Sequence, residues 1–382
     1  MKPFRHALLL WAAREHLAHP GAALLLALAL GALTILLTTG LLLSQALTAA
    51  TGRLLAAGPD LAVRRVDPQG WRPIAVDAVQ TALAIPGVTR ARARIWGTAG
   101  SPGGAVTVVA LDQAARGAFE ITDGWILPAP GEAILGRGIV LPEGDGPLLL
   151  NAAGAVQVRA RERFGADSDV ATHDLVLLHP RDARTLLGLA PDSASDLTLS
   201  VFHPEEAEAL RPELARAFPW PVHIVTREET RKHYAAAFGR RGGLAAVLYL
   251  PAAVALVLLV TAIVRQQIGG RRQVGLLKAL GWASRDIVAL QLYKALLVGG
   301  PAVATGLVVA YGLVYGVSSR WVGHLLLGWQ QTSPFLPLAA GYAGPVFLEV
   351  AGLLLAPYLA AVLWSSLAQA AADPQELLRR EP

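Results

Sequence analysis

The chain has 382 residues, 54% hydrophobic and 16% charged, with a mean hydropathy of +0.46, too apolar for an ordinary soluble protein and too polar to lie wholly within a bilayer. Cysteine is absent, which excludes a disulfide framework, thiolate chemistry and cysteine-based metal sites. The net charge of +5 comes partly from arginines flanking apolar runs, so it bears on membrane topology before nucleic acid, and no interleaving of aromatic and basic residues suits base recognition.

Ala22 to Leu43 runs without a charge, with Lys2, Arg5 and Arg14 before it. A helix needs about 20 apolar residues to cross the hydrocarbon core, so this run predicts a first span over 21–46, preceded by a cytosolic segment, 1–20. A signal peptide is the competing reading, but its apolar region is normally about 7 to 15 residues long, and here the uncharged stretch continues through Ser44 to Gly52 as the start of a stalk. Residues 47–240 have the texture of a folded domain outside the cytosol. Asp60 to Arg65 reads as a strand, Ile74 to Ile85 as an amphipathic helix ended by Pro86-Gly87, and Val88 to Trp96 and Ala105 to Leu111 as alternating strands. Glu132 to His179 is glycine-rich and strand-like. Leu197 to Phe202 then predicts a strand, Pro204 to Ala217 a helix with proline in its first turn, Val222 to Val225 a strand, and a helix begins near Arg227, running toward Gly242-Gly243 as a hinge.

A second span is predicted over 244–265, interrupted by Pro251 and delivering Arg265, Arg271 and Arg272 on its cytosolic side. A basic connector, 266–288, leads to a third span, 290–319. An external loop, 320–338, carries Trp321, Leu325, Leu326, Leu327 and Trp329 as an interfacial belt, a fourth span covers 340–366, and 367–382 forms a cytosolic tail. The predicted fold class is an α-helical membrane protein with four transmembrane helices and a large α+β extracytoplasmic domain inserted between helices 1 and 2.

The connector holds the densest local information. Leu276, Leu277 and Leu280 recur at helical spacing beside Lys278, Gly281 is placed to end a helix in a left-handed conformation, and Ser284 can N-cap a following helix with Asp286 in its first turn. An ordinary topogenic loop would carry the same charges. The wording, however, resembles the signature of the FtsX-like permease family, the membrane subunits of MacB-type and lipoprotein-releasing ABC transporters. Arg272, Gln273, Gly275, Lys278, Ala279, Gly281, Ser284, Arg285 and Ile287 match it in register; Gln273 stands where an acidic residue is common and Trp282 where a small one is. The tail Ala370 to Arg379 resembles the family's Asp-Pro step and Leu-Arg ending, and Ala133 to Gly138 its strand before a tight glycine turn.

The resemblance implies a mechanotransmitting permease of the inner membrane with a periplasmic domain. In that reading Arg272, Gly275, Leu276, Leu277, Lys278, Ala279, Leu280, Gly281 and Arg285 form the coupling surface for a separate cytosolic ATPase. It further implies a homodimer or a related second permease, a periplasmic adaptor as a candidate partner, and an apolar or amphipathic cargo. The chain has no Gly-x-x-x-x-Gly-Lys-Ser/Thr loop, since Gly269-Gly270-Arg271-Arg272 lacks both the spacing and the lysine, so ATP and Mg²⁺ are expected on the partner and no cofactor on this chain. No active site is expected: Gly-x-Ser-x-Gly is absent, and His173 and His179 fit no zinc spacing and read as surface histidines. Glu349 lies in the outer half of the fourth span, and an intramembrane carboxylate is costly enough to be a candidate for lining a substrate route or pairing with Arg320 or His324. A headgroup-level position is the plainer alternative. Two rival functions stay open, an FtsX-like regulator of an external cell-wall hydrolase and a transmembrane sensor.

Overall fold

The computed structural model describes residues 10–15, 20–110, 128–141, 146–164, 172–239, 243–269, 271–316, 338 and 340–371. They divide into two units, one drawn from residues up to 45, 238–316 and 340 onward, the other from 46–237 and 338. The tail motif, the external loop with its tryptophans, and Gly242 lie outside the described residues.

The first unit is helical. Residues 10–15 form α1, and α2 runs Pro20–Ala57, well past the predicted span, because nothing between Leu43 and Ala57 breaks a helix. The helices α7 (Gly243–Gly269), α8 (Arg271–Ala279), α9 (Ser284–Tyr315) and α10 (Gly344–Ala371) also belong to it. Among the described residues three helices are long and apolar enough to cross a membrane: Ala23–Arg53 within α2, α9 and α10. In α7 the apolar stretch identified among the described residues is Tyr249–Leu259. Leu30 of α2, Leu259 of α7, Ala295 of α9, and Tyr358 and Val362 of α10 meet in one cluster. Tyr358 donates its hydroxyl to the Ala295 carbonyl at 3.2 Å, which satisfies the polar end of a side chain that is otherwise buried. Gly306 lets α9 approach α2 closely: a Cβ there would sit 2.7 Å from Thr34 Cβ and 3.0 Å from the Gly31 carbonyl oxygen.

The second unit is α+β. Its strands are β1 (Leu61–Asp67), β2 (Gly70–Arg72), β3 (Ile74–Ala75), β4 (Val88–Ser101), β5 (Gly104–Ala110), β6 (Glu132–Leu135), β7 (Leu148–Asn151), β8 (Ala155–Arg163), β9 (Leu175–Leu178), β10 (Ser193–Ala194), β11 (Asp196–Val201) and β12 (Val222–Thr226). The helices are α3 (Ala78–Leu83), α4 (Pro180–Leu187), α5 (Arg211–Ala217) and α6 (Arg227–Phe238). Two predicted helices are shorter than expected. Ile74 and Ala75 pair with β10 instead of opening α3, and Pro204–Glu206 forms a separate 3₁₀ turn before α5.

The strand order β12-β1-β11-β4 is antiparallel throughout. With α3 between β1 and β4, and α5 between β11 and β12, this is the split βαβ arrangement of ferredoxin-like folds. Leu61, Val63, Leu197, Leu199 and Ile224 face α3 and α5 in one core. Between β4 and β11 the chain makes a second sheet, β4-β5-β9-β6-β8-β7, whose last strand returns to the first at Gly100↔Asn151. Alternate residues Val106, Val108 and Ala110, then Ala133 and Leu135, Leu148 and Leu150, and Val176 and Leu178 fill its core with Ala183 and Leu186 of α4.

β4 belongs to both sheets, pairing with β11 up to Arg94 and with β5 from Ile95 onward. At the changeover Ser195 N donates to the Arg94 carbonyl at 2.9 Å, and Ser195 Oγ both accepts from Trp96 N at 3.0 Å and donates to the Trp96 carbonyl at 2.7 Å. Beside them the fully buried Asp196 carboxylate accepts from Arg94 Nε at 2.9 Å, Arg94 Nη2 at 2.7 Å and Trp96 Nε1 at 2.8 Å. Three donors on one carboxylate meet the condition under which a charge can be buried.

Candidate functional site

Nine residues are too few for a helix to persist in water unaided, so α8 depends on the surface beneath it. Val274 and Leu277, one turn apart, are buried against Ile287 and Leu290 of α9 and Ala12 of α1. Each such side chain removed from water contributes on the order of 1.5–3 kcal/mol. Leu276 and Leu280, also one turn apart, point the other way and are 57% and 70% exposed. Among the described residues, α8 is therefore apolar on two faces and backed on one.

The C-terminus of α8 closes as the glycine predicts. Gly281 has φ +86°; its N–H donates to the Lys278 carbonyl at 2.9 Å, and Trp282 N–H donates to the Leu277 carbonyl at 3.1 Å. This pair of bonds is a Schellman motif, and the hydrophobic contact that accompanies such motifs is made by Trp282 and Leu277 in the same cluster. Trp282, the departure from the resembled signature, stands edge-on to Trp11 with ring centroids 4.9 Å apart. A large residue fits here because α1 supplies a second large aromatic for it to meet.

The expected cap at Ser284 is a correction. Ala283 occupies the N-cap position in extended conformation with no side-chain bond, and Ser284 is the first helical residue. Its hydroxyl donates to the Ala370 carbonyl at 3.3 Å, satisfying an orphan acceptor in the last turn of α10. Asp286 lies in the first turn of α9 as predicted, 3.7 Å from Arg285 Nε.

Between α1, α8 and α9 lies a depression of about 180 Å³, lined by Trp11, Glu15, Gln273, Leu276, Leu280 and Lys294 among others. Glu15 Oε2 and Lys294 Nζ meet at 2.5 Å on its wall, both largely buried. Of the predicted coupling residues, Arg272 lies in the first turn of α8, its side chain outside the described residues; Gly275 and Leu277 are buried; Lys278 is half-buried; Leu276, Ala279, Leu280 and Arg285 are exposed. Leu277 thus holds the helix down while Leu276 and Leu280 present it. Sequence reasoning missed Trp11, Ala12 and Glu15, treating that segment only as a carrier of topogenic charge; the signal available was the one-turn spacing of Trp11 and Glu15.

Glu349 is in the second turn of α10, which starts at Gly344, and is exposed beside Leu348, itself 78% exposed. It faces away from the buried side of α10 formed by Val346, Val350 and Leu354. Arg320 and His324 lie outside the described residues. One of the two histidines departs from its expected surface position. His173 is 4% exposed and packed against Gly136 and Gly138, which corrects the surface assignment. His179 caps α4, its Nδ1 accepting from Arg181 N at 3.2 Å. Among the described residues no group of three or more His, Asp or Glu is arranged to hold a metal ion.

No family model and no curated protein matches this chain. The site's own chemistry is that of a short helix, capped and buttressed, whose Leu276 and Leu280 edge is exposed among the described residues, on a helical unit with apolar helices long enough to cross a membrane.

Proposed function

We infer that this chain is the membrane subunit of an ATP-driven transporter of the FtsX-like, MacB-type kind, with ATP hydrolysis carried out by a separate cytosolic ATPase that docks on α8. The observation that carries the reading is the exposed Leu276 and Leu280 edge on a helix otherwise fixed by burial and a Schellman cap. A merely topogenic loop needs charges and no buttress, whereas a surface that receives force needs to be held without slack. In this reading α7 is a fourth span, the connector and both ends of the chain face the cytosol of an inner membrane, and the α+β unit lies in the periplasm. Two copies, or one with a related permease, stand over two ATPases. α2 beyond the bilayer and α6 act as the stalk through which motion reaches the α+β unit, and the cargo is apolar or amphipathic.

The test is ATP hydrolysis by the complex purified on this chain into nanodiscs, comparing wild type with Leu276→Glu and Leu280→Glu. Loss of the ATPase or of its turnover in both variants, with the melting of the purified chain unchanged, supports the reading. If no ATPase accompanies the chain, or if the variants hydrolyse ATP as wild type does, the foot is a topogenic loop and the sensor reading moves forward.

A further inference from the structure

Two side chains one turn apart on α1 reach two separate points of the corner between α8 and α9. Trp11 stands edge-on to Trp282, in the connection that follows α8, with ring centroids 4.9 Å apart. Glu15 meets Lys294 at 2.5 Å, and the two side chains are 23% and 12% exposed. Lys294 lies about 15 Å along α9 from Ser284, at a rise of about 1.5 Å per residue. On the same short helix Ala12, fully buried, packs with Val274 and Leu277 of α8 and with Ile287 and Leu290 of α9.

The corner has use for such contacts. The bonds at Gly281 and Trp282 fix how α8 stops, while the angle at which the chain leaves through the extended Ala283 depends on what the two helices touch. Val274, Leu277, Ile287 and Leu290 join them directly, but apolar contact is non-directional. An edge-on ring pair and a charge-assisted bond add defined directions. A single attachment would be a pivot; attachments on both sides of the corner fix an angle. A short amphipathic helix serving only as an interfacial anchor would turn its apolar side to lipid and its charges to water. Here Ala12 is buried in protein and Glu15 directs its charge to Lys294.

We propose that α1 is a brace across this corner, in which Trp11 and Glu15 fix the angle of α8 against α9 and tie the start of α2 to the same body. The tie is covalent: α2 begins at Pro20, and the chain from Glu15 to Pro20 spans at most about 18 Å. Trp11, Glu15 and Lys294 are then positioning residues, acting on the Leu276 and Leu280 edge through the helix that carries it. A push on α8 moves α9 and the base of α2 with it. That role in coupling rests on the function proposed above; the brace itself does not.

The test reads the angle. The chain has no cysteine, so Gln273→Cys on α8 and Val308→Cys on α9, both exposed among the described residues, take spin labels specifically. The full chain in nanodiscs, diluted with unlabelled chain so that distances within one copy are read, is measured by pulsed electron paramagnetic resonance. With the brace intact the distance is single and narrow. Glu15→Gln and Trp11→Ala each broaden it or add a second distance, whereas Trp11→Phe and the charge reversal Glu15→Lys/Lys294→Glu keep it narrow. In Glu15→Gln the Trp282 amide exchanges about tenfold faster or more, the scale of a lost bond to a charged group, with amides in α10 unchanged. Distances as narrow as wild type in both Glu15→Gln and Trp11→Ala overturn the proposal. So does a lower melting temperature in those variants without broadening, which would make the contacts ordinary packing. A second arm uses the ATPase that accompanies the chain: turnover falls in Glu15→Gln with the ATPase still bound and returns in the charge reversal. Wild-type turnover in a variant whose distance has broadened overturns the part played in coupling. If no ATPase accompanies wild type, the function proposed above fails, and the distances alone decide the brace.

Discussion

Replacing Gly281 by alanine isolates what the cap of α8 contributes. A Cβ at this position meets nothing within 4 Å, so the substitution adds no clash, and the whole cost is that of holding an L-residue at φ +86°. That cost is about 1–2 kcal/mol, and asparagine, which enters the left-handed region more readily, falls between glycine and alanine. A loss of this size corresponds to roughly a 5- to 30-fold rise in the population of the opened helix end. The assay is hydrogen exchange by mass spectrometry on the full chain in detergent, following the amides of Gly281 and Trp282, which bond to the Lys278 and Leu277 carbonyls. The expected order of protection is wild type, then Gly281→Asn, then Gly281→Ala, with amides in α10 unchanged. Exchange in Gly281→Ala within about twofold of wild type would refute the reasoning, because the helix end would then be held by something other than its cap.

Three further outcomes follow from the packing. Gly306→Ala drives a Cβ into Thr34 and the Gly31 carbonyl, an overpacking worth about 1–3 kcal/mol; the melting temperature falls, and Thr34→Gly in the same chain restores part of it. Asp196→Asn leaves the Arg94 guanidinium facing a neutral amide at a buried site, and loss of one partner of such a pair costs about 3 kcal/mol or more; limited proteolysis of the full chain then cuts within 46–237 at lower protease concentration, and unchanged cleavage would contradict the account. Glu132 is held below the usual carboxylate range by the Ala129 backbone N–H and by Arg161. Its folded-state pKa is depressed, so its stabilisation is fully present above about 4.5 and is lost as pH falls through the folded value; wild type and Glu132→Gln differ in melting at neutral pH and converge in acid.

The helices of the first unit were legible because uncharged runs of this length admit few other structures. The β-α-β opening of the second unit was legible for a similar local reason, the alternation of Val88 to Trp96 beside Pro86-Gly87. What local pattern could not reveal is that β4 runs on to Ser101 and changes partner at Ile95, since its alternation is unbroken there and only distant strands distinguish the two halves. The parallel pairings β5 with β9 and β6 with β8 join segments separated in sequence and leave no turn signal. At the foot, the glycine stop was legible from one residue. The buttress was not, because Trp11 lies far from Trp282 in sequence and each looks unremarkable alone.

The crossing at Arg94 to Trp96 and Ser195 to Asp196 makes the second sheet a guest within a host. The chain leaves the ferredoxin-like half and re-enters it at neighbouring points, joined by Ser195 N–H donating to the Arg94 carbonyl and Trp96 N–H donating to Ser195 Oγ. Insertions are tolerated where their two ends lie close together. The guest can accordingly be lengthened, exchanged or replaced by a tight turn while β12-β1-β11-β4 keeps its order, leaving one part of the molecule free to diversify and the other to stay constant.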